Sequence, residues 1–431
     1  MGQARRAEVR LAAVAIAVAA LSALVIAPAP SYDPWAWLLW GREIAHGTLS
    51  TAEGPAFKPL PVAVTVLLAP LGSAAPEVWV VVARVGTLLA LALAFRLGRE
   101  YAGTAAGIAA AVGVALTGNL LGYSAAGAEP GWTIALALAG IVAWRADRPR
   151  LALACGVGCA LLRVEAWPFL LAFGVLLWRR RPQDRSLLIG AAVAVPALWF
   201  VPELLGSGDV LRSGSRARMP NPGQPATAAV PAFAALKEAA VLPLWPLWIG
   251  ALLAPRAARP LLAAGLAWIA LVAVMAQAGF SGEPRYSLPG GALVAIAGAA
   301  GLATVADRRL RGALVVALLL VAAVPKVAAL WDLPDDQAYQ RGLATDLAAV
   351  IQQAGGREAL LACGRPYVGM LRGPLLAYHL DVEKQRVQFD PRPPGVVFRS
   401  RLAPEDPVEP AVGAGFEPRT HVGRWEVLAT C

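Results

Sequence analysis

The sequence predicts an all-α polytopic membrane protein of about 11 transmembrane helices, followed by a small C-terminal α+β domain. Three observations lead there. The 431 residues are 58% hydrophobic and only 15% charged, with a mean hydropathy of +0.59; a soluble chain of this length carries far more charge. Apolar runs approaching the length of a hydrocarbon core recur up to residue 331. The arginines fall in short clusters between those runs, so the net charge of +10 reads as membrane topology and not as a nucleic-acid surface.

Residues 11–29 follow Arg5, Arg6 and Arg10 and form a longer apolar run than a signal peptide needs, which suits an uncleaved anchor with a cytoplasmic N-terminus. Basic clusters at Arg96/Arg99, Arg145/Arg148/Arg150, 179–185, 254–260 and 306–312 then mark cytoplasmic connections. The remaining connections, 31–76, 122–130, 206–237 and 277–288, are external. They hold the acids Asp33, Glu43, Glu53, Glu129 and Asp209, with Glu77 at the edge of the first connection. The run 151–178 has basic clusters at both ends, so it must turn back as a hairpin with its tip near LRVEAWP. The spans are then 11–29, 77–98, 103–121, 129–144, the pair 151–162 and 166–178, 186–204, 238–254, 260–277, 287–305 and 312–331. An odd number places the C-terminus outside. Within 31–76, helices at 35–46 and 60–71 are expected along the outer interface, with Trp35, Trp37 and Trp40 in the headgroup zone.

From residue 332 the chain turns polar. DDQAYQRGLATDLAAVIQQAGG predicts an amphipathic helix, and EALLACG, VVFRS and WEVLAT predict strands. An exported domain can hold a disulfide, which makes Cys363–Cys431 the expected pair; two buried thiols are the alternative. Cys155 and Cys159 lie in an apolar run, and no Cys/His spacing suits zinc.

The candidate chemistry lies in the external connections. Asp33 precedes Pro34 at a helix start, which fits an N-cap; the same geometry fixes a carboxylate that could take a proton from an acceptor hydroxyl. Glu129 repeats the arrangement before Pro130. Arg163 and Glu165 at the hairpin tip are costly at membrane depth unless paired or facing a polar cavity, although they could be solvated tip residues. Asp33, Glu129 and Glu165 are candidate ligands for Mg²⁺ or Mn²⁺. Lys58 and Arg285 could hold a phosphate, or Arg285 could reach to the headgroups. RSGSRAR (212–218) reads as a mobile, solvated basic loop.

These stretches together resemble the GT-C superfamily of polytopic glycosyltransferases, in the branch of protein O-mannosyltransferases and lipid A aminoarabinose transferases. DPWAWLLWGREIAHGTL resembles the family's first external loop, FKPLPVAV the Lys-Pro stretch after it, and AEPGWTIALAL the second-loop acid. LLRVEAWPFLL resembles a broken hairpin and RYSLPGGALVAIAG the late Arg-Tyr span entry. The resemblance implies a polyprenyl-phosphate sugar donor, an acceptor glycan, lipid or protein on the outer face, and contact with membrane lipids. It gives Asp33 the acid/base place, with Glu129 beside it, and Lys58, Arg163, Glu165, Arg285 and Tyr286 substrate-binding places. Pro34 stands where many relatives carry a second acid, and Glu129 where they carry Asp. A lipid flippase or a non-catalytic envelope scaffold are the competing readings. Against the first, the acids lie on one side and no internal symmetry is visible.

Overall fold

The computed structural model describes residues 3–306 and 309–431; Asp307 and Arg308 of the basic cluster 306–312 lie outside the described residues. Helix α1 (Gln3–Ser22) ends earlier than the expected span 11–29. Beyond it the chain opens, and the Arg84 guanidinium takes the Ile26 and Ala27 carbonyls at 3.0 and 3.4 Å. Helices α2 (Tyr32–His46) and α3 (Pro59–Leu68) stand where the interfacial helices were expected. Helix α4 (Ala75–Ala115) contains the predicted span 77–98 and most of the span 103–121, which ends early, as two arms folded back at Ala102 and Gly103. Gly103 takes φ 84°, a value that favours glycine. The arms close on small residues, for a Cβ on Gly98 would stand 2.6 Å from the Ala106 carbonyl oxygen.

After the short α5 (Leu120–Ala125) comes α6 (Pro130–Arg145). Helices α7 (Pro149–Leu162) and α8 (Trp167–Arg180) form the expected hairpin, with Arg163 extended at its tip. Helix α9 (Arg185–Ser207) and α10 (Arg212–Ala217) follow. Helices α11 (Pro231–Ala240) and α12 (Trp245–Leu252) meet at 94°, so no straight helix covers the expected span 238–254. Pro243 and Pro246 break the backbone ladder there. Helices α13 (Arg259–Gln277), α14 (Pro284–Val305) and α15 (Arg309–Ala328) complete the helical body.

Among the described residues, five helical stretches are long and apolar enough to cross a membrane, or six if the bent α11–α12 pair counts as one. The eleven expected spans are therefore not matched one for one, because several helices are short, bent or joined. Helix α14 is the central post and is almost wholly buried. Its glycines admit α12 to backbone contact: a Cβ on Gly298 or Gly301 would overlap the carbonyl oxygens of Leu247 and Gly250. The basic clusters gather at one end of the body. There Glu100 pairs with Arg96 and Arg145, Asp147 with Arg181, and Asp184 with Arg150.

The tail begins with α16 (Leu333–Gln353) and α17 (Gly356–Ala362). The EALLACG segment, expected as a strand, lies in α17, in keeping with the helix propensity of Glu, Ala and Leu. Strand β1 (Arg365–Val368) precedes α18 (Gly373–Leu380), and β2 (Gly395–Arg399), β3 (Glu417–Val422) and β4 (Trp425–Ala429) follow. The sheet order is β1-β2-β4-β3, with β1 and β2 parallel and the other pairs antiparallel. Cys363 and Cys431 form a disulfide.

The tail shares its core with the first loop. Trp35, Trp37, Trp40, Phe57 and Trp79 belong to one cluster with Leu343, Leu347, Phe398 and Trp425. The tryptophans expected to sit half wet among headgroups are therefore covered: Trp35 is 6% exposed, and Trp37 and Trp40 are 0%. Trp35 packs on Tyr378 and His379, and the Trp40 indole N–H donates to the Ser50 carbonyl at 3.0 Å.

Candidate active site

The end of the body opposite the basic clusters carries a chain of alternating charges. Asp33 Oδ2 lies 3.0 Å from Arg285 Nη1 and 3.9 Å from Lys58 Nζ. Lys58 Nζ donates to Glu129 Oε1 at 2.5 Å. The same oxygen accepts from Arg163 Nη1 at 3.1 Å. Arg163 then forms a two-point pair with Glu165, Nη2 to Oε1 at 2.5 Å and Nε to Oε2 at 3.1 Å. Its guanidinium lies 3.8 Å from the Tyr286 ring centroid, and Arg285 approaches the same ring at 5.4 Å. Asp33, Lys58, Glu129, Arg163, Glu165, Arg285 and Tyr286 are thus brought together from five elements.

Local folding sets each of them. Ser31 is the N-cap of α2, so Asp33 lies in the first turn and its carboxylate turns away to the cations. Glu129 holds the N-cap position of α6, yet makes no side-chain cap hydrogen bond. Its carboxylate serves Lys58 and Arg163 instead. Pro59 starts α3 directly after Lys58, and Pro284 starts α14 directly before Arg285. The extended backbone of Arg163 breaks the hairpin and aims the side chain inward. Arg163 and Glu165 are buried, so the reading of solvated tip residues does not apply.

Sequence reasoning missed two supporting acids, Glu283 and Glu203, and misread the start of RSGSRAR. Glu283 Oε2 lies 2.9 Å from Arg285 Nε, although that N–H is not aimed well enough to count as a hydrogen bond. Glu203 of α9 is fully buried. It accepts from the Ser213 hydroxyl and lies 4.0 Å from Arg212 Nη1. Arg212 donates to the carbonyls of Pro55 and Gly54 at 2.5 and 2.8 Å, and the Phe57 N–H donates to Ser213 Oγ at 2.7 Å. The start of RSGSRAR is therefore a clamp on the irregular segment leading into Lys58 and not a mobile loop. The available signal was Glu203 itself, an acid inside the apolar run 186–204.

The three acids considered for Mg²⁺ or Mn²⁺ are each taken by a cation. Among the described residues, no group of three His, Cys, Asp or Glu side chains is placed to hold a metal. Besides Arg285 Nε, the buried Glu129 Oε2 and Trp37 indole nitrogen at the site have no hydrogen-bond partner among the described residues. The Trp37 ring also faces Lys58 Nζ at 5.1 Å. An apolar groove of about 450 Å³ runs between α6, α7, α8 and α13. It reaches from Tyr101 and Arg145 up to Ala166, Phe169 and Trp268. There the Trp268 indole N–H donates to the Tyr286 carbonyl at 2.8 Å, so the groove ends beneath the charged cluster.

A bundle of apolar helices, a charged cluster at one end and an α+β tail packed over the first-loop helix are the architecture of a multi-pass membrane protein, and the fold is shared with two solved membrane proteins. The chain is similar to ArnT, the aminoarabinose transferase of Cupriavidus metallidurans, bound to undecaprenyl phosphate: TM-score 0.60, 14% identity, 98% of each chain covered. The apo form of ArnT gives a TM-score of 0.56 and 16% identity over 100% of this chain and 99% of that one. The oligosaccharyltransferase of Archaeoglobus fulgidus tethered to an acceptor peptide gives 0.52 and 14% identity, with 88% of this chain and 63% of that chain covered. No protein-family model and no curated protein matches the sequence.

Proposed function

We propose that the protein transfers a sugar from a polyprenyl-phosphate donor to an acceptor on the outer face of the cytoplasmic membrane. The observation that carries this reading is Asp33, a carboxylate flanked by Arg285 and Lys58 where an apolar groove ends. The groove suits an isoprenoid chain. Of the three cations, Arg285 is the most open, with its side chain 16% exposed against 9% for Lys58 and 8% for Arg163. It is the one best placed to meet the donor phosphate.

In the reaction, Asp33 takes the proton of the acceptor hydroxyl as its oxygen bonds to the anomeric carbon. The bond from that carbon to the phosphate oxygen breaks, and the electron pair leaves with the lipid phosphate. Arg285 and Lys58 stabilise the charge that develops there. The unpartnered Glu129 Oε2 and Trp37 N–H offer one acceptor and one donor for sugar hydroxyls.

The test is transfer from a panel of polyprenyl-phosphate sugars by purified protein and its Asp33→Asn variant. Loss of a general base costs about 10²–10⁴-fold in rate, so turnover should fall by that much while undecaprenyl phosphate still binds. Turnover at the parent rate would remove Asp33 from the mechanism.

A further inference from the structure

The tail carries a second cavity, unlike the apolar grooves of the helical body. It measures about 560 Å³ and is lined mainly by polar groups, among them Glu53, Arg365, Gln385, Arg386 and Gln388. One wall is the first loop and the other is the tail. Glu53 Oε2 accepts from the buried Lys384 ammonium at 2.9 Å, and its Oε1 lies 3.4 Å from Gln388 Nε2. That ion pair closes the floor and cancels the Glu53 charge. The guanidinium groups of Arg365 and Arg386 are exposed and take no ion pair or hydrogen bond among the described residues. The amide nitrogens of Gln385 and Gln388 are used internally, by Glu383 and by the Gln385 carbonyl. Their amide oxygens are left to accept from hydroxyls.

A pocket with two free guanidinium groups and two amide acceptors fits a molecule that carries anionic groups and hydroxyls together. Its position says which molecule of the reaction that is. Glu53 is followed at once by Gly54 and Pro55, whose carbonyls Arg212 clamps, and five residues on by Lys58 of the charged cluster. Five extended residues span at most about 18 Å. On the transferase reading the lipid donor takes the apolar groove within the helical body, on the other side of the cluster. We propose that this pocket binds the acceptor, a glycan bearing phosphate or carboxylate groups, and holds it beside the donor site. The acceptor role rests on the transferase reading above; the binding of an anionic glycan does not.

The experiment uses the full-length protein in detergent and three probes: a uronic acid tetramer, a hexose 6-phosphate and neutral maltotetraose. Calorimetry should show at least one anionic probe bound tenfold or more tightly than the neutral one. The probe that binds separates a carboxylated from a phosphorylated acceptor. Arg365→Gln combined with Arg386→Gln should weaken that binding at least tenfold, while the Lys pair retains most of it. Undecaprenyl phosphate affinity and the thermal midpoint should be unchanged in both. Equal binding of all three probes, or full affinity in the Gln pair, would overturn the proposal. Asp33→Asn should bind the anionic probe like the parent. If probes bind but no donor supports transfer, the transferase reading and the acceptor role fail and the glycan site stands.

Discussion

Asp33 and Glu129 each stand beside a proline at a helix start, and neither carboxylate caps its helix. Both are spent on cations. The sequence made the six charged residues of the cluster visible as charged groups at the ends of apolar runs, because charge is rare there and costly without a reason, while Tyr286 came only through the resemblance. It could not show the pairing, which depends on five elements meeting, nor that Glu283 and Glu203 would join in. The pairing has consequences that can be measured. Glu129 is fully buried between Lys58 and Arg163. Glu129→Gln leaves two buried cations short of a counter-charge, and breaking a buried pair costs about 3–5 kcal/mol. A clear fall in the thermal midpoint is expected, and an unchanged one would mean that water or lipid replaces the carboxylate. Because each acid is held by a cation, transfer should also survive EDTA. Activity lost to chelation and restored by Mg²⁺ would show that the cluster rearranges around an ion.

Among elements, α2 and the segment from Gly54 to Lys58 decide the site. The clamp from Arg212 and Ser213 fixes that segment. Arg212→Ala should raise the KM for donor several-fold with a smaller change in kcat, since Lys58 is then held less firmly. Equal losses in both would place Arg212 in the chemistry itself. On the far side of α2, burial holds the Glu43 carboxyl up at about 7, opposed by the Ser50 N–H that donates to it and reinforced by Glu383. A carboxyl raised in the folded state adds stability that is complete below pH 4.5 and is lost as pH rises through about 7. Burial and then Arg42 pull the neighbouring His379 down to about 4, which works the other way: that contribution is present above 6.5 and is lost as pH falls through about 4. Comparing Glu43→Gln with the parent isolates the first effect. The variant should show a flatter thermal midpoint between pH 4.5 and 7, and parallel profiles would exclude Glu43 as its source. Here the sequence was a poorer guide. Asp33, Trp35, Trp37 and Trp40 mark α2 clearly as a distinct helix, but interfacial tryptophans and tryptophans under a protein lid look alike in a string of letters.

For the whole molecule, hydropathy and the sorting of arginines were enough to read a polytopic protein with a polar tail. The α7–α8 hairpin was legible because its basic clusters demanded a turn. The 94° bend between α11 and α12 was signalled by Pro243 and Pro246, yet an apolar run interrupted by proline reads equally well as one kinked span. The shared core of tail and first loop left no local sign, since it joins residues some three hundred positions apart. It ties the Cys363–Cys431 bond to the site as well. That bond closes a separation of 68 residues, and the loss of such a restraint costs about 4 kcal/mol in a chain-entropy account. Reduction, or Cys363→Ser with Cys431→Ser, should lower the thermal midpoint and open the tail to protease. Identical digestion with and without reductant would mean that the sheet is held by packing alone.

The Trp35 face of α2 finds its cover on α18, at Tyr378 and His379, more than three hundred positions further along the sequence. That face of the helix bearing Asp33 acquires its cover only once α18 has been made, so the first external loop is packed late, by a segment that supplies no residue to the charged cluster itself.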